Sequence, residues 1–265
     1  SSIYPTIFTT CQKSQPLSLQ LFSFLSYFEE KFIFPSNYLT DKLDIIKSKK
    51  KNLNFDNDKF IDDLQVAIGI LNKEGLDYTF PHRSLQEYFG ALYISKVSPE
   101  NKKILYNKLK LEIEENIGSL MSKDHFYGLL AEIDYNNLST FVSIPILERI
   151  LNELLSITDI TDAIAYEYYG KILLPFYILL RTATNHKEIH DEVVDRNIRY
   201  SFFGYRRNKF EFPKDLPKEI IEHMNFEIMR DKVLNFQKCG NRIIDTLKQT
   251  IIESEKSDSE IIGLI

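Results

Sequence analysis

Glycine and proline are scarce in this chain, which contains nine of each among 265 residues. Stretches that alternate apolar and polar residues, as half-buried strands do, are also rare. The two cysteines, Cys11 and Cys239, lie far apart and have no metal-ligand spacing, so neither a disulfide framework nor a zinc site is indicated. These absences favour a mainly α-helical protein of a reducing compartment, which we expect to be the cytoplasm.

Long apolar runs and a strong net charge are missing as well. No stretch approaches the ~18 uninterrupted apolar residues of a membrane helix. The N-terminal SSIYPTIFTT lacks the charged region and the cleavage site of a signal peptide. The net charge of −5 gives no global attraction to nucleic acid or to an anionic membrane, so we expect no membrane partner. Because the chain begins without Met, we expect it to be a piece of something longer.

The pattern along the chain predicts two structural parts. Apolar residues at helical spacing predict a helix from 58 to 71, and Gly75 suits the left-handed position after it. LDYTF (76–80) alternates as a short strand or hairpin arm, and a further helix follows Pro81, where Ser84 and Glu87 have the spacing of a capping box. Helix, short strand and helix are the core of a winged-helix unit.

Beyond residue 98 the pattern becomes a run of helices, which predicts an α-helical bundle or a short α-solenoid. We expect these helices near 100–116, 119–134, 138–156, 159–182, 186–200, 215–236 and 238–253.

The stretch FPHRSLQEYFGALYI (80–94) carries the most specific signal. It resembles the motif that closes the winged-helix module of NACHT-family signalling NTPases, roughly Phe-x-His-x-Ser-Phe-Gln-Glu-Tyr/Phe-Phe-Ala-Ala-x-Tyr. Leu85 and Gly90 depart from it conservatively. Upstream, SQPLSLQLFSFL (14–25) is similar to the family's Asn-Pro-Leu-Leu-Leu stretch in the helical subdomain, with Gln15 in place of the usual Asn. The residues of the first stretch that match in order are Phe80, His82, Ser84, Gln86, Glu87, Tyr88, Phe89, Ala91 and Tyr93.

The resemblance implies a division of the chain and two site residues. The parts would be the end of a helical subdomain (1–35), a winged-helix domain (36–97) and a C-terminal α-helical sensor or interaction domain (98–265). In the family, the winged-helix histidine reaches the ADP phosphates in the closed resting state, and the upstream proline packs near the adenine. These roles fall on His82 and Pro16. From the residues alone two other interpretations stay open: a packing histidine between strand and helix, and a simple helix-start proline.

The chain contains no G-x-x-x-x-G-K-[ST] sequence, whose backbone N–H groups would wrap nucleotide phosphates. We therefore expect no enzyme activity and no catalytic residues here, and no nucleotide bound by this chain alone. The resemblance implies that ADP or ATP is bound in the parent protein by an upstream nucleotide-binding domain. This chain would then be the regulatory and ligand-sensing segment, in bacterial anti-phage defence, with homo-oligomerisation on activation. The alternative is a free-standing helical adaptor that binds proteins and has no nucleotide role.

Two other patterns bear on partners. RNIRYSFFGYRRNKFEF (196–212) interleaves basic and aromatic residues, which could bind an unknown protein or nucleic-acid ligand, or could form an aromatic core with a charged rim. Its candidate contact residues are Arg199, Tyr205, Arg206, Arg207 and Lys209.

DNA reading by the winged helix is disfavoured, because Asp58, Asp62 and Asp63 lie on the helix that would enter the groove. His186 and His190 have the i, i+4 spacing of a metal pair, but the glutamate of H-E-x-x-H is misplaced. We expect a solvated helical turn there, and no metal.

Overall fold

The computed structural model describes residues 15–123, 125–180 and 226–262. Helices dominate these ranges, and the strands found within them form one small three-stranded sheet. The predicted mainly α fold is therefore confirmed. The chain divides into two compact units, Ser1–Val97 and Ser98–Ile265.

The first unit has the element order of a winged helix. Its strands are antiparallel in the order β1-β3-β2, so the last strand lies between the other two, and the β2–β3 hairpin forms the wing. The elements are α1 (Gln15–Phe28), β1 (Ile33–Pro35), α2 (Ser36–Lys49), α3 (Asn57–Asp62), a π-helical turn (Asp63–Ala67), β2 (Asn72–Glu74), β3 (Asp77–Thr79) and α4 (Arg83–Lys96).

The predicted end of the helix from 58 to 71 is wrong. The helix ends at Ala67, and Gly69, with φ 68°, follows shortly after it. Residues 72–74 form β2 instead, and Gly75, with φ 64°, lies in the hairpin turn. Both glycines occupy the left-handed backbone region that side chains with a Cβ disfavour. Two such glycines close together mark two turns, and the helix ends just before the first of them, whereas the sequence pattern predicts its end before the second.

Aromatic rings fill the core of the first unit. The Phe34 side chain, on β1, is fully buried. Its ring centroid lies 5.0 Å from that of Phe22 on α1 and 5.7 Å from that of Phe80, both edge-on, and 6.1 Å from the stacked ring of Tyr38 on α2. Edge-to-face ring pairs contribute about 0.5–1.5 kcal/mol beyond the area they bury. One cluster therefore connects the first two helices to the sheet.

The second unit is a bundle of helices. The first of them runs to Lys123, so the predicted boundary near 116–119 is wrong. Its elements in the described ranges are α5 (Pro99–Lys123), α6 (Phe126–Ile133), α7 (Tyr135–Leu138), a π-helical turn (Ser139–Ser143), α8 (Ile144–Leu155), α9 (Asp162–Leu180) and α10 (Phe226–Ile262).

The predicted break between helices at residue 237 is also wrong, because α10 continues through it. The Gln237 side chain donates hydrogen bonds to the carbonyl oxygens of Leu154 (2.6 Å) and Ile157 (2.9 Å) at the end of α8. Gly240 lets the two helices approach closely, since a Cβ there would be 2.7 Å from a methyl carbon of Leu151. The polar residue and the glycine thus serve helix packing, and neither ends α10.

A half-buried carboxylate joins α5 to the start of α7. Asp134 pairs with Lys102 (2.8 Å) and accepts hydrogen bonds from the Tyr106 hydroxyl (2.8 Å) and the Asn137 amide (2.7 Å). Burial raises the pKa of the Tyr106 hydroxyl, and the neighbouring Asp134 charge raises it further. A fully hydrogen-bonded polar cluster of this kind fixes the relative position of the helices that share it.

None of the helices in the described ranges has the length and apolarity that a membrane crossing requires.

Candidate functional site

His82 is the N-cap residue of α4. Its backbone is extended (φ −143°, ψ 134°), and its Nδ1 accepts a hydrogen bond from the backbone N–H of Ser84 at 3.2 Å. The Ser84 hydroxyl oxygen lies 2.6 Å from the same nitrogen. An Nδ1 that accepts a hydrogen bond carries no proton, so the neutral ring holds its proton on Nε2. The side chain is exposed, and Nε2 is the nitrogen that the cap does not use.

The predicted capping box of Ser84 and Glu87 is therefore wrong. That motif needs the serine at the N-cap, outside the helix, whereas Ser84 is the second residue of α4. Glu87 forms an ion pair with Arg83 at 2.9 Å, and its side chain is 1 % exposed. The helix begins two residues before the point at which a Ser84 cap would place it, because the His82 imidazole accepts the hydrogen bond from the Ser84 N–H.

Gln86 forms hydrogen bonds that connect the first turn of α4 to the end of α1 and the residues just after it. Its side chain is 1 % exposed, and its Nε2 donates to the Ser26 hydroxyl and to the Lys31 carbonyl oxygen, each at 2.8 Å. The Ser26 hydroxyl in turn donates to the Ser23 carbonyl at 3.3 Å. A buried amide that satisfies both of its N–H groups holds two segments in one relative position.

The buried face of α4 carries polar as well as apolar residues. The apolar side chains of Leu85, Tyr88, Leu92 and Tyr93 are half-buried. They pack at the edge of the core. The fully buried face contains Gln86, Glu87, Phe89, Gly90, Ala91 and Ile94.

Gln86 was thus missed as a structural residue. The signal that could have found it is its spacing of three and four residues from Phe89 and Gly90, which places it on their face of the helix.

Pro16 lies in the first described turn of α1 and is half-buried. Gln86, one turn after His82, contacts Ser26 at the other end of the same helix. Pro16 precedes Ser26 by about three turns, a rise of ~15 Å. The structure therefore does not bring Pro16 and His82 together, and their roles toward a nucleotide stay predictions.

Some of the other predicted site residues lie within the described ranges, and the rest lie outside them. Asp58 and Asp62 are exposed on α3, directly before the wing, where a DNA phosphate would meet their negative charge. Within the described ranges no group of three or more His, Cys, Asp or Glu side chains could hold a metal ion. His186 and His190 lie outside the described residues, and so do the predicted partner contacts Arg199, Tyr205, Arg206, Arg207 and Lys209.

Comparison with known proteins adds no relative: no protein-family model matches the chain, and neither a curated protein nor a solved structure gives a significant match.

Replacing His82 by Ala should lower the free energy of unfolding by about 1 kcal/mol, because the Ser84 N–H loses its acceptor. His82→Asp should keep wild-type stability, since aspartate is among the best N-cap residues. Urea unfolding of the 265-residue chain, followed by circular dichroism, measures both. A His82→Ala variant as stable as wild type would show that the ring does not cap α4.

Proposed function

We propose that this chain is the regulatory and ligand-sensing segment of a NACHT-type signalling NTPase, in which the winged helix stabilises the ADP-bound resting state. One observation carries the proposal: His82 is exposed at the start of α4 and uses Nδ1 for the cap, which leaves Nε2–H as a donor. The positive end of the α4 dipole lies beside the ring and favours an anion there. A phosphate oxygen of ADP has the charge and the acceptor geometry for this position.

The cap also makes the donor ready for binding. Because Nδ1 is held by the Ser84 N–H, the ring orientation is set before a nucleotide arrives, and little conformational freedom is lost on contact. A hydrogen bond to a charged group contributes about 1.5–3 kcal/mol. In this proposal the upstream nucleotide-binding domain holds the ADP or ATP, and this chain supplies one contact that closes the resting state.

The remaining parts of the proposal are supported by the NACHT resemblance alone. The second unit would sense a protein or nucleic-acid ligand in the cytoplasm, and the parent protein would oligomerise on activation and act in anti-phage defence. Pro16 would pack near the adenine.

A second candidate function has its own supporting observation. A histidine that caps a helix has a structural role without any nucleotide, and this fits a helical adaptor that binds proteins. The two candidate functions differ in whether the Nε2–H group of His82 donates a hydrogen bond to a nucleotide phosphate.

Purified full-length protein should retain ADP, released on denaturation and quantified by chromatography at about one equivalent. The 265-residue chain alone is the control and should retain none, since it has no phosphate-binding glycine loop. A full-length protein that neither carries nor takes up ADP would favour the adaptor.

A further inference from the structure

The segment Glu29–Phe32, here called the 29–32 turn, connects α1 to β1 in a strained conformation. The Lys31 N–H donates to the Ser26 carbonyl (2.9 Å) and the Glu30 N–H to the Tyr27 carbonyl (3.0 Å). This pair of bonds is the Schellman ending of a helix, which places one residue in the left-handed region, usually glycine. Here that residue is Glu30, with φ 53°. A residue with a Cβ is disfavoured in this region, so the turn holds conformational strain.

Residues of the strained 29–32 turn also contact the first helical turn of α4. The Lys31 carbonyl accepts the buried hydrogen bond from Gln86, and the Arg83 guanidinium lies 4.3 Å from the centroid of the Phe32 ring. Arg83 and Gln86 follow His82 by one and four residues, so both act on the turn of helix that His82 caps.

The same turn is tied to α2 on its other side. The Glu29 carboxylate accepts a hydrogen bond from the Tyr38 hydroxyl (2.8 Å) and forms an ion pair with Lys42. The 29–32 turn therefore contacts α2 and α4 through different residues, and a change in its backbone would reach both helices.

We propose that the 29–32 turn acts as a latch, which positions the His82 imidazole through Gln86 and Arg83. The left-handed backbone of Glu30 sets the free energy that local opening of this turn requires. Its regulatory meaning rests on the proposed function, because the position of His82 matters there for contact with a phosphate. When Glu30 leaves the left-handed region, the Lys31 carbonyl and the Phe32 ring move away from Gln86 and Arg83. The first turn of α4 then loses its support, and the cap made by His82 loosens.

Glu30 offers a clean test because its side chain is exposed, so substitutions there act through the backbone. Glu30→Gly removes the strain, and Glu30→Val increases it, since a β-branched residue tolerates positive φ least. Amide hydrogen exchange, measured by NMR on the 265-residue chain, reports local opening residue by residue.

In Glu30→Gly, exchange should slow by about fivefold at the Lys31 amide and equally at the Ser84 and Leu85 amides of α4. In Glu30→Val all three should exchange faster. The Phe60 amide, bonded to Asp56 at the start of α3, is the internal control and should not change.

Two results would overturn the latch. A response confined to Lys31 would show that the turn and α4 open independently, and an equal response at Phe60 would show a change in global stability instead. Glu30→Gly alone decides the matter if Glu30→Val does not fold. The measurement uses no nucleotide, so the latch can fail while the ADP contact of His82 stands. Coupled exchange in a full-length protein that retains no ADP would refute the proposed function but not the latch.

Discussion

Phe34→Ala is expected to destabilise the first unit by about 3–5 kcal/mol. The side chain is fully buried and contacts rings of α1, α2 and the residue after β3. Truncation removes its apolar transfer energy and leaves a cavity between elements that cannot close on it. A domain is stable by about 5–15 kcal/mol in total, so the loss would be a large share of the stability of this unit.

Thermal and urea unfolding, with amide exchange to locate the change in the first unit, would measure the effect. Val66→Ala is the control, because Val66 is 79 % exposed and should alter the free energy of unfolding by less than about 0.5 kcal/mol. A loss below about 1 kcal/mol for Phe34→Ala would mean that the aromatic cluster does not organise the unit.

The helices were predictable because their signal is local. The hairpin arm was also predictable: LDYTF alternates apolar and polar residues, and β3 lies within it. Strand β1 was not predictable from the sequence, because it has only three residues, one of them Pro35. Its partner β3 lies more than forty residues away. Proline is accepted in a strand at a sheet edge, which only the completed sheet reveals.

The end of the helix before the wing shows a different limit. Ile68 and Leu71 continue the helical spacing of apolar residues, so the pattern predicts helix beyond the actual end. In the structure the backbone N–H groups of Ile70 and Leu71 both donate to the Leu64 carbonyl, at 2.8 and 3.2 Å, after the chain has left the helix. Apolar residues stay buried beyond the end of the helix. The periodicity of apolar residues alone therefore could not show where the helix ends.

At the candidate site the sequence did not predict that His82 is the N-cap of α4. Serine is a far commoner N-cap than histidine, so Ser84 was preferred over His82 as the cap. The partners of Gln86 could not be predicted, because Ser26 lies sixty residues away in sequence. The sequence places polar residues on a helix, but which of them becomes buried depends on the element that packs there.

The second large expected effect follows from the proposed function and concerns the ADP affinity of the full-length protein that this proposal implies. His82→Ala removes the Nε2–H donor and should weaken ADP binding about tenfold, consistent with one charge-assisted hydrogen bond. His82→Asp also removes the donor and adds a negative charge beside the phosphates, so its loss should exceed tenfold. Both variants should raise ligand-independent activity, because the closed state loses a contact that the open state does not make.

The direct test of the central claim is therefore the order of ADP dissociation constants for wild type, His82→Ala and His82→Asp, measured by calorimetric titration of the full-length protein. If His82 binds a phosphate, affinity falls from wild type to Ala to Asp, although the Asp variant keeps the cap and remains the more stable of the two. If His82 is only a cap, affinity follows stability, and the Asp variant binds ADP as wild type does.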